Sequence, residues 1–346
     1  MTKLNYKINL LILTALVFVF SCTSGEKKSD NDRKDSLDFT NHTGAKHTDF
    51  ITTLENPVLE KRNVIYTPVF HYAWNKIEEN LKSEILVNKI NSRDFRILLL
   101  SKSHLNALGD TEYVVKTEMN DKEITAKAFF NKTLPFQTKL QSLEELILFG
   151  KSKVSAFGMH FFDSNFFKII QILYYKDENS FILKLSPKDK QNEIILVKGL
   201  HNYKTLSDAL KLTSKLVQKG KTESLSPKNR WKYEIGEEDI IAIPVVKFDL
   251  EANYKSLEGQ NFLTKDKKFH FIKEAYQQTR FCLNEKGAVV KIVAIADVDS
   301  AGEPPSEKPS KKMIFDKKFL IIIKKTDKTN PYFMMQVSNT ELLTKK

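Results

Sequence analysis

The sequence has few of the residues that would make it a disulfide-stapled, loop-rich or metal-binding protein. It contains only 2 cysteines in 346 residues, which rules out a disulfide framework. Glycine is scarce (11) and phenylalanine abundant (24), a balance that favours a large apolar core over a loop-rich fold. The 7 histidines show no H-x-x-x-H or H-E-x-x-H spacing, and G-x-S-x-G, P-loop and G-x-G-x-x-G motifs are absent. We therefore expect a protein that is not an enzyme and has no metal or cofactor.

Charge points to no specific partner. Basic residues outnumber acidic ones, 55 to 43, but they are scattered singly and in pairs such as Lys311-Lys312. No nucleic-acid motif accompanies them, so we interpret them as a solvated surface, with anionic lipids or glycans as the alternative partners. His71 and His160 adjoin aromatic residues and are interpreted as hydrogen-bonded, partly buried histidines. Glu144-Glu145 and Glu237-Glu238 are interpreted as solvated faces.

Residues 1–21 predict a signal peptide. Lys3 and Lys7 precede an apolar run at residues 10–20, which is too short to span a bilayer. The run ends at Ser21-Cys22, which resembles the lipobox of bacterial lipoproteins, in which the cysteine is acylated and becomes the mature N-terminus. An ordinary export signal with an incidental cysteine is the alternative.

A polar, charged segment follows the predicted lipidation site. Residues 22–49 cannot bury enough apolar surface to order themselves and predict a flexible tether. Residues 50–346 then form the predicted folded domain. Acyl chains on Cys22 would anchor this domain to the membrane. We predict an envelope protein of a bacterium, an outer-membrane lipoprotein, with the periplasmic and the surface face both open.

The domain reads mainly as strands with a few helices. At Asn63 a short strand runs into Thr67-Pro68, which predicts a helix start because threonine caps helices and proline is tolerated at the first position. Residues 176–179, Lys-Asp-Glu-Asn, divide two apolar runs and predict a hairpin turn. Residues 203–217 have leucines at helical spacing and predict an amphipathic helix. Cys282 lies within a strand pattern and is interpreted as a buried structural thiol.

Residues 279–298 join three kinds of segment. An alternating strand ends in Asn284-Glu285-Lys286-Gly287 and an apolar run, AVVKIVAIADV, follows it. The chain then passes into AGEPPSEKPSKK, a proline-, serine- and lysine-rich segment that cannot be core. A buried strand, FDKKFLIIIKK, and the segment NPYFMMQVSNT come after it.

This order resembles the C-terminal part of the serpins. They have a strand ending in Asn-Glu-Glu/Lys-Gly, a mobile reactive loop, an apolar strand and a final Phe-Met-Gly-x-Val-x-Asn-Pro. Further stretches resemble the family in the same order, at Asn63, Thr67 and Pro68; at Ala128, Phe129, Phe130 and Phe136; at Leu173, Tyr175, Ser180, Leu183 and Pro187; and at Pro244, Lys247, Phe248, Tyr254 and Leu257. The resemblance implies an α+β fold with mixed, mostly antiparallel sheets, packed helices and an exposed reactive-type loop. An unrelated mixed fold is the alternative.

Two departures from the family are visible. Phe70 stands where serpins have a serine beneath the opening region of the main sheet. Residues 68–126 are too few for all the peripheral helices of a typical serpin, so we expect several of these helices to be shortened or absent. The helix that crosses the main sheet is one candidate for such a loss.

The resemblance also implies a mechanism. In serpins a protease cleaves the reactive loop, which inserts as a new strand into the main sheet and traps the enzyme. The hinge would comprise Glu285, Gly287, Ala288, Val290 and Ile292, and the last three of these would point inward on insertion. The scissile bond would fall among Ser300, Ala301 and Gly302, whose small side chains suit elastase-like or papain-like proteases.

The predicted function is therefore a lipid-anchored, monomeric inhibitor of a serine or cysteine protease. Val290 and Ile292 are stiffer than the threonine- and alanine-rich run of family inhibitors, which favours slow insertion. Two alternatives follow. The segment after Gly287 can be an ordinary, permanently paired strand, and the protein can be a non-inhibitory binding or structural lipoprotein with a serpin fold.

Overall fold

The computed structural model describes residues 45–160, 163–288 and 310–345, all of which fall in one compact unit. The first strand begins at Thr48, two residues before the predicted domain boundary. The residues that lead into this strand are held by the Glu341 carboxylate, which accepts hydrogen bonds from the Lys46 and His47 amides and from the Thr48 hydroxyl. These ties reach across nearly the whole chain, so local composition does not reveal them. The predicted signal peptide and Cys22 lie outside the described residues.

The main sheet contains the strand that leads into the predicted hinge. Its strands are β3 (Val114–Asn120), β4 (Glu123–Phe130), β5 (Leu134–Pro135), β12 (Val246–Asn253), β13 (Asn261–Leu263), β14 (Phe269–Asn284) and β15 (Gly287–Ala288). The long strand β14 pairs in parallel with β4 and antiparallel with β12, β13 and β15. Asp121 and Lys122 alone join β3 to β4, so no crossing helix lies between them, in line with the short 68–126 stretch.

A second sheet, here the back sheet, is built from both ends of the chain. Its strands in spatial order are β1 (Thr48–Ile51), β2 (Asn63–Tyr66), β18 (Phe333–Val337), β17 (Phe319–Lys325), β10 (Asn192–Lys198), β9 (Ser180–Leu185) and β8 (Ile170–Asp177). The hairpin predicted at residues 176–179 is confirmed, because β8 and β9 meet there as an antiparallel pair. Strand β17 is apolar through Ile323 because both of its faces are covered.

A small sheet receives the chain after the loop. Its order is β16 (Lys312–Ile314), β11 (Ile240–Pro244), β7 (Ser152–Met159) and β6 (Gln141–Phe149). Among the described strands, β16 lies at the edge of this sheet and pairs in parallel with β11 alone. The side chains of Glu144 and Glu145 lie outside the described set. The α+β class with mixed, mostly antiparallel sheets is thus confirmed.

Within the described residues, three α-helices pack on these sheets, α1 (Val69–Leu81), α2 (Arg93–Leu100) and α3 (Leu206–Glu223). Short 3-10 turns occupy Val87–Lys89, Ser164–Lys168 and Arg230–Lys232. The helix predicted at residues 203–217 is confirmed as α3, whose first turn is capped by the Thr205 hydroxyl accepting from the Asp208 amide. Its apolar side covers the back sheet.

Helix α1 is buried, as the sequence predicts, but it begins differently. Its N-cap is Pro68 and no side chain caps it, so the predicted capping role of Thr67 is wrong. The Thr67 side chain is buried, and its hydroxyl finds no hydrogen-bond partner among the described residues. Trp74 of this helix packs edge-on against Phe95 at 5.0 Å between ring centroids, which joins α1 to α2.

Candidate functional site

The predicted hinge is a tight turn at the end of β14. The Asn284 side-chain oxygen accepts a hydrogen bond from the Lys286 amide at 2.9 Å, closing an Asx-type turn around Glu285. Gly287 then takes a φ of +119°, a conformation that side-chain-bearing residues rarely adopt. The turn sends the chain back antiparallel to the strand it has just left.

The two residues after the turn form a strand of their own. In β15, Gly287 and Ala288 pair with Asn284 and Leu283 of β14 on one side and with Pro135 and Leu134 of β5 on the other. A Cβ atom added to Gly287 would lie 2.4 Å from the Leu134 carbonyl oxygen. Glycine is therefore required here both for its φ and for the close approach of β5.

Backbone groups of the turn are tied to β5 and the segment after it. The Lys286 carbonyl accepts from the Phe136 amide, and the Glu285 carbonyl accepts from the Leu140 amide, each at 2.9 Å. The start of the predicted loop thus already occupies a strand position between β14 and β5.

Ala288 points into the core. It is 2% exposed and lies opposite Leu283, which is fully buried. In a pleated sheet paired residues share a face, and alternate residues along a strand share it too. Ala288 therefore shares its buried face with Leu283, and its orientation after insertion stays a prediction. Val290, Ile292, Ser300, Ala301 and Gly302 lie outside the described residues.

Below the hinge the main sheet is closed. Strands β4 and β14 pair directly and in parallel, with Ala126 opposite Ala275 and Ala128 opposite Gln277. Gln277 and Thr279 are buried inward-facing polar residues, and the Gln277 amide donates to the Thr279 hydroxyl at 3.0 Å. The Tyr254 hydroxyl donates to the Gln277 side-chain oxygen, also at 3.0 Å. An entering strand would have to part this pair of strands while keeping these polar groups satisfied.

A bulky ring lies near this polar group. Phe70, on the buried helix α1, packs on the Tyr254 ring with 4.6 Å between ring centroids. Both residues are buried within the same apolar cluster as the inward alanines of β4. The sequence departure at Phe70 thus places an aromatic ring, rather than a small hydroxyl, beneath the closed sheet.

The C-terminal base of the loop is built on a buried ion pair. Lys311 is 3% exposed, and its ammonium group lies 2.8 Å from the carboxylate of Asp239, which is 1% exposed. The same carboxylate accepts hydrogen bonds from the Lys311 and Gly236 amides at 2.7 and 2.8 Å. The Lys311 ammonium also lies over the Trp231 ring. The pair holds the chain as it enters β16.

Sequence reasoning missed this pair. It grouped Lys311 with the solvated lysines and singled out Glu237-Glu238, whereas the carboxylate that pairs with Lys311 belongs to the next residue, Asp239. The partners are 72 residues apart, so no local spacing reveals them. The available signal was an acidic residue directly before the apolar strand β11.

Two of the predicted histidine environments need correction. His160 is exposed rather than partly buried. His71 is buried but not hydrogen-bonded through Nδ1. Its ring stacks on His104 at 3.5 Å between centroids, and neither Nδ1 atom has a partner among the described residues. Burial, together with the neighbouring His104, lowers the pKa of His71 to about 3.

The buried thiol is as predicted. Cys282 is free and buried in β14, and burial raises the pKa of its thiol to about 12. At neutral pH it is therefore a protonated core residue and no nucleophile.

Two further properties concern ligands and membranes. Within residues 45–160, 163–288 and 310–345 no group of three or more His, Cys, Asp or Glu side chains is placed to hold a metal ion. No helix in this part of the chain is long and apolar enough to cross a membrane.

Comparisons with known proteins point to one class. No protein-family model matches the chain, and no curated protein matches it. The solved structures that resemble it are serpins. Tengpin, a thermophilic serpin, in its native state has 11% identity and a TM-score of 0.37, over 63% of this chain and 55% of that chain. A serpin from the trematode Schistosoma haematobium has 12% identity and a TM-score of 0.35, over 64% and 58%.

A third similar structure is a complex with a small molecule. Thyroxine-binding globulin with thyroxine has 14% identity and a TM-score of 0.36, over 62% of this chain and 56% of that chain. The chain thus spans a little over half the length of the serpins it matches. The fold is serpin-like, as the sequence predicts, and these similarities describe the fold alone.

Proposed function

We propose that the protein is a lipid-anchored protease inhibitor that acts by cleavage and insertion of the segment after Gly287. The observation that supports it is strand β15. Two residues of the predicted loop already lie between β14 and β5, in the orientation that a longer inserted strand would continue. Insertion would then extend a strand that is already started rather than nucleate a new one.

The register of β15 specifies which residues would enter the sheet. Ala288 lies opposite Leu283. Extending that antiparallel pairing by two residues at a time would set Val290 opposite Phe281 and Ile292 opposite Thr279. Each of these β14 residues is buried on the core side. The inserted strand would replace one parallel ladder with two antiparallel ones, which are slightly more stable per residue.

The first test measures formation of a covalent complex and the melting temperature of the cleaved protein. The intact protein is incubated with an elastase-like or papain-like protease, and the products are analysed by denaturing gel, mass spectrometry and calorimetry. We expect cleavage within residues 299–305, a covalent complex that survives SDS, and a cleaved form that melts at a much higher temperature than the intact one. Cleavage without any rise in melting temperature would remove the insertion mechanism.

A pair of arginine variants tests the register. Val290→Arg would bury a charge without a partner once the segment inserts, at a cost of several kcal/mol, so we expect cleavage without complex formation. Val289→Arg is the matched control, because the neighbouring position in the register has the opposite parity and its side chain would point to solvent after insertion. Equal loss of complex in both variants would count against strand addition.

Anchoring is tested separately. Cys22 is the proposed acylation site, and Cys22→Ser is expected to move the protein from the membrane fraction to the soluble fraction. Mass spectrometry of the mature N-terminus would detect the acyl groups directly. A processed Cys22→Ser protein that stayed fully in the membrane fraction would contradict the anchor.

A non-inhibitory serpin-fold lipoprotein is the second candidate function. It is favoured by the closed β4–β14 pair and by the Phe70 ring on Tyr254, which both oppose opening of the main sheet. This candidate predicts that cleavage of the loop leaves the melting temperature unchanged. The calorimetric measurement above therefore decides between the two.

A further inference from the structure

Strand β3 leaves one edge of the main sheet open. Within the described residues β3 pairs with β4 alone and stands at the end of the strand order. The strand is 7 residues long, its register with β4 is unbroken, and its sequence contains no proline or glycine. Shortness, prolines and bulges are common devices that keep an open edge from pairing with another strand, and β3 has none of them. The edge is therefore able to accept a further strand.

Every second residue of β3 directs its backbone groups to this open edge. A connection of only two residues joins β3 to β4, which makes the closing pair, Asn120 and Glu123, a hydrogen-bonded one. Hydrogen-bonded positions then recur at every second residue of the strand. The positions in between direct their amides and carbonyls outward, at Val115, Thr117 and Met119. Among the described residues these outward groups have no backbone partner.

The two charged side chains of β3 are opposite in sign and two residues apart. Lys116 and Glu118 are both exposed, and neither forms an ion pair within the part of the chain that the structure describes. On the other face of the strand, Val115 and Met119 pack against the main apolar cluster. A lysine on an open edge repels a second copy of itself, but a nearby glutamate offers that copy a partner of opposite charge.

We propose that two copies of this chain pair antiparallel through their β3 strands, with a twofold axis at Thr117. This register sets Lys116 opposite the partner's Glu118, and Val115 opposite the partner's Met119. The outward backbone groups of the two strands then meet, so one continuous sheet would run through both molecules. The dimer departs from the monomer that the sequence predicts, and it involves neither the predicted loop nor the predicted lipid anchor.

Charge selects this register over its neighbours. Moving the axis by one residue, to position 116 or 118, still brings outward backbone groups together. It places like charges directly opposite each other, however, Lys116 against Lys116 or Glu118 against Glu118, and such pairs destabilise a strand ladder. The twofold pair also occupies the β3 edge of both copies, so the assembly closes at two.

Sedimentation velocity of the full chain after the predicted signal peptide tests the pairing. Every protein carries Cys22→Ser, so that no acyl group brings copies together. We expect a concentration-dependent equilibrium between monomer and dimer. Lys116→Glu and Glu118→Lys should each raise the dimer dissociation constant by about tenfold or more, because each turns two attractive pairs into repulsive ones. A parent that stays monomeric up to about 1 mM, or one that grows beyond a dimer, would overturn the proposal.

Mixing the two single variants gives the most specific measurement. Each variant presents like charges to its own copy, but the mixture sets glutamates opposite lysines, so a heterodimer should form with an affinity close to that of the parent. The double variant Lys116→Glu/Glu118→Lys should dimerise by itself for the same reason. The control is Lys228→Glu, which reverses an exposed lysine in the connection after α3 and should leave the dissociation constant unchanged. Equal weakening by this control, or no recovery in the mixture, would contradict the register.

Hydrogen exchange followed by NMR at low and high protein concentration locates the contact. The amides of Val115 and Thr117 should exchange more slowly in the dimer than in the monomer, because the partner's strand covers them. The amides of Lys116 and Glu118, which already bond to β4, should exchange at the same rate in both states. A dimer in which neither outward amide gains protection would place the interface elsewhere and refute the proposal.

Discussion

The two bases of the predicted loop are held by different chemistry. The N-terminal base, at Gly287 and Ala288, is tied only by backbone hydrogen bonds and one buried methyl group. The C-terminal base, at Lys311, is held by a buried ion pair with Asp239. Backbone pairing can be extended residue by residue along a sheet. A buried charge cannot leave its partner without a large desolvation cost.

This difference fixes the end from which the segment between the two bases could enter the main sheet. If the segment between the bases enters the main sheet, it must do so from Gly287 onward, while Lys311 stays in place. The edge strand β16 is only three residues long, so its single parallel ladder would hold it weakly without the ion pair. The charge pair therefore fixes the end that the strand pairing alone does not.

The largest expected loss of stability comes from a substitution that breaks the ion pair at the C-terminal base. Asp239→Ala leaves the Lys311 ammonium and two backbone amides without their partner, so the free energy of unfolding should fall by about 3–5 kcal/mol. Urea denaturation followed by circular dichroism measures it. The control is Glu79→Ala, which breaks the exposed Lys76–Glu79 pair and should leave the free energy of unfolding nearly unchanged, because solvent screens this pair. Similar losses in both variants would mean that the buried pair does not hold the base.

A second substitution acts on the N-terminal base. Gly287→Val combines a disfavoured φ with a clash against the Leu134 carbonyl, and should cost roughly 2–3 kcal/mol and release β15. Gly259 also has a positive φ, of +77°, but a Cβ atom added there would meet no atom within 4 Å. Gly259→Ala should therefore lower the free energy of unfolding by only about 1 kcal/mol. Hydrogen exchange at the Phe136 and Leu140 amides, which bond the turn, should accelerate in Gly287→Val alone. Unchanged protection of these amides would show that β15 does not depend on Gly287.

The smallest expected effect is a loss of stability in acid, and it arises at a histidine pair that lies at neither end of the predicted loop. His71 stacks on His104, and burial lowers both pKa values below their usual range near 6.5, that of His71 to about 3. The unfolded chain therefore binds more protons as the pH falls below about 6.5. Stability present above that pH is lost progressively on acidification, by about 2 kcal/mol at pH 5 for His71. Denaturation at pH 7 and 5 measures it, and a double variant with phenylalanine at both positions should lose less. If the double variant showed the same drop, the histidines would not be its source.

Local pattern predicted the elements whose signal lies within a few residues. The hairpin at residues 176–179 and helix α3 followed from composition and leucine spacing. Cys282 was expected inside because it follows Phe281 in an alternating strand. The closed β4–β14 pair could not be predicted in this way, since parallel strands carry no turn signal between them.

Contacts between residues that are far apart in the sequence could not be predicted from local patterns. Asp239–Lys311 and the Glu341 clasp on residues 46–48 join positions far apart, and polar residues in such pairs look the same in sequence as solvated ones. Thr67 shows the opposite failure. Its position before Pro68 is that of a helix cap, but its side chain is buried where it meets no free amide.

The order of the back sheet has a consequence for folding during synthesis. Strand β2 forms its antiparallel pair with β18, and β18 with β17 comes from the last part of the chain. The N-terminal strands β1 and β2 therefore have no sheet to join while the chain is still emerging from the ribosome. A chain truncated before β17 would lack the middle of this sheet, and the whole polypeptide must be made before the domain closes.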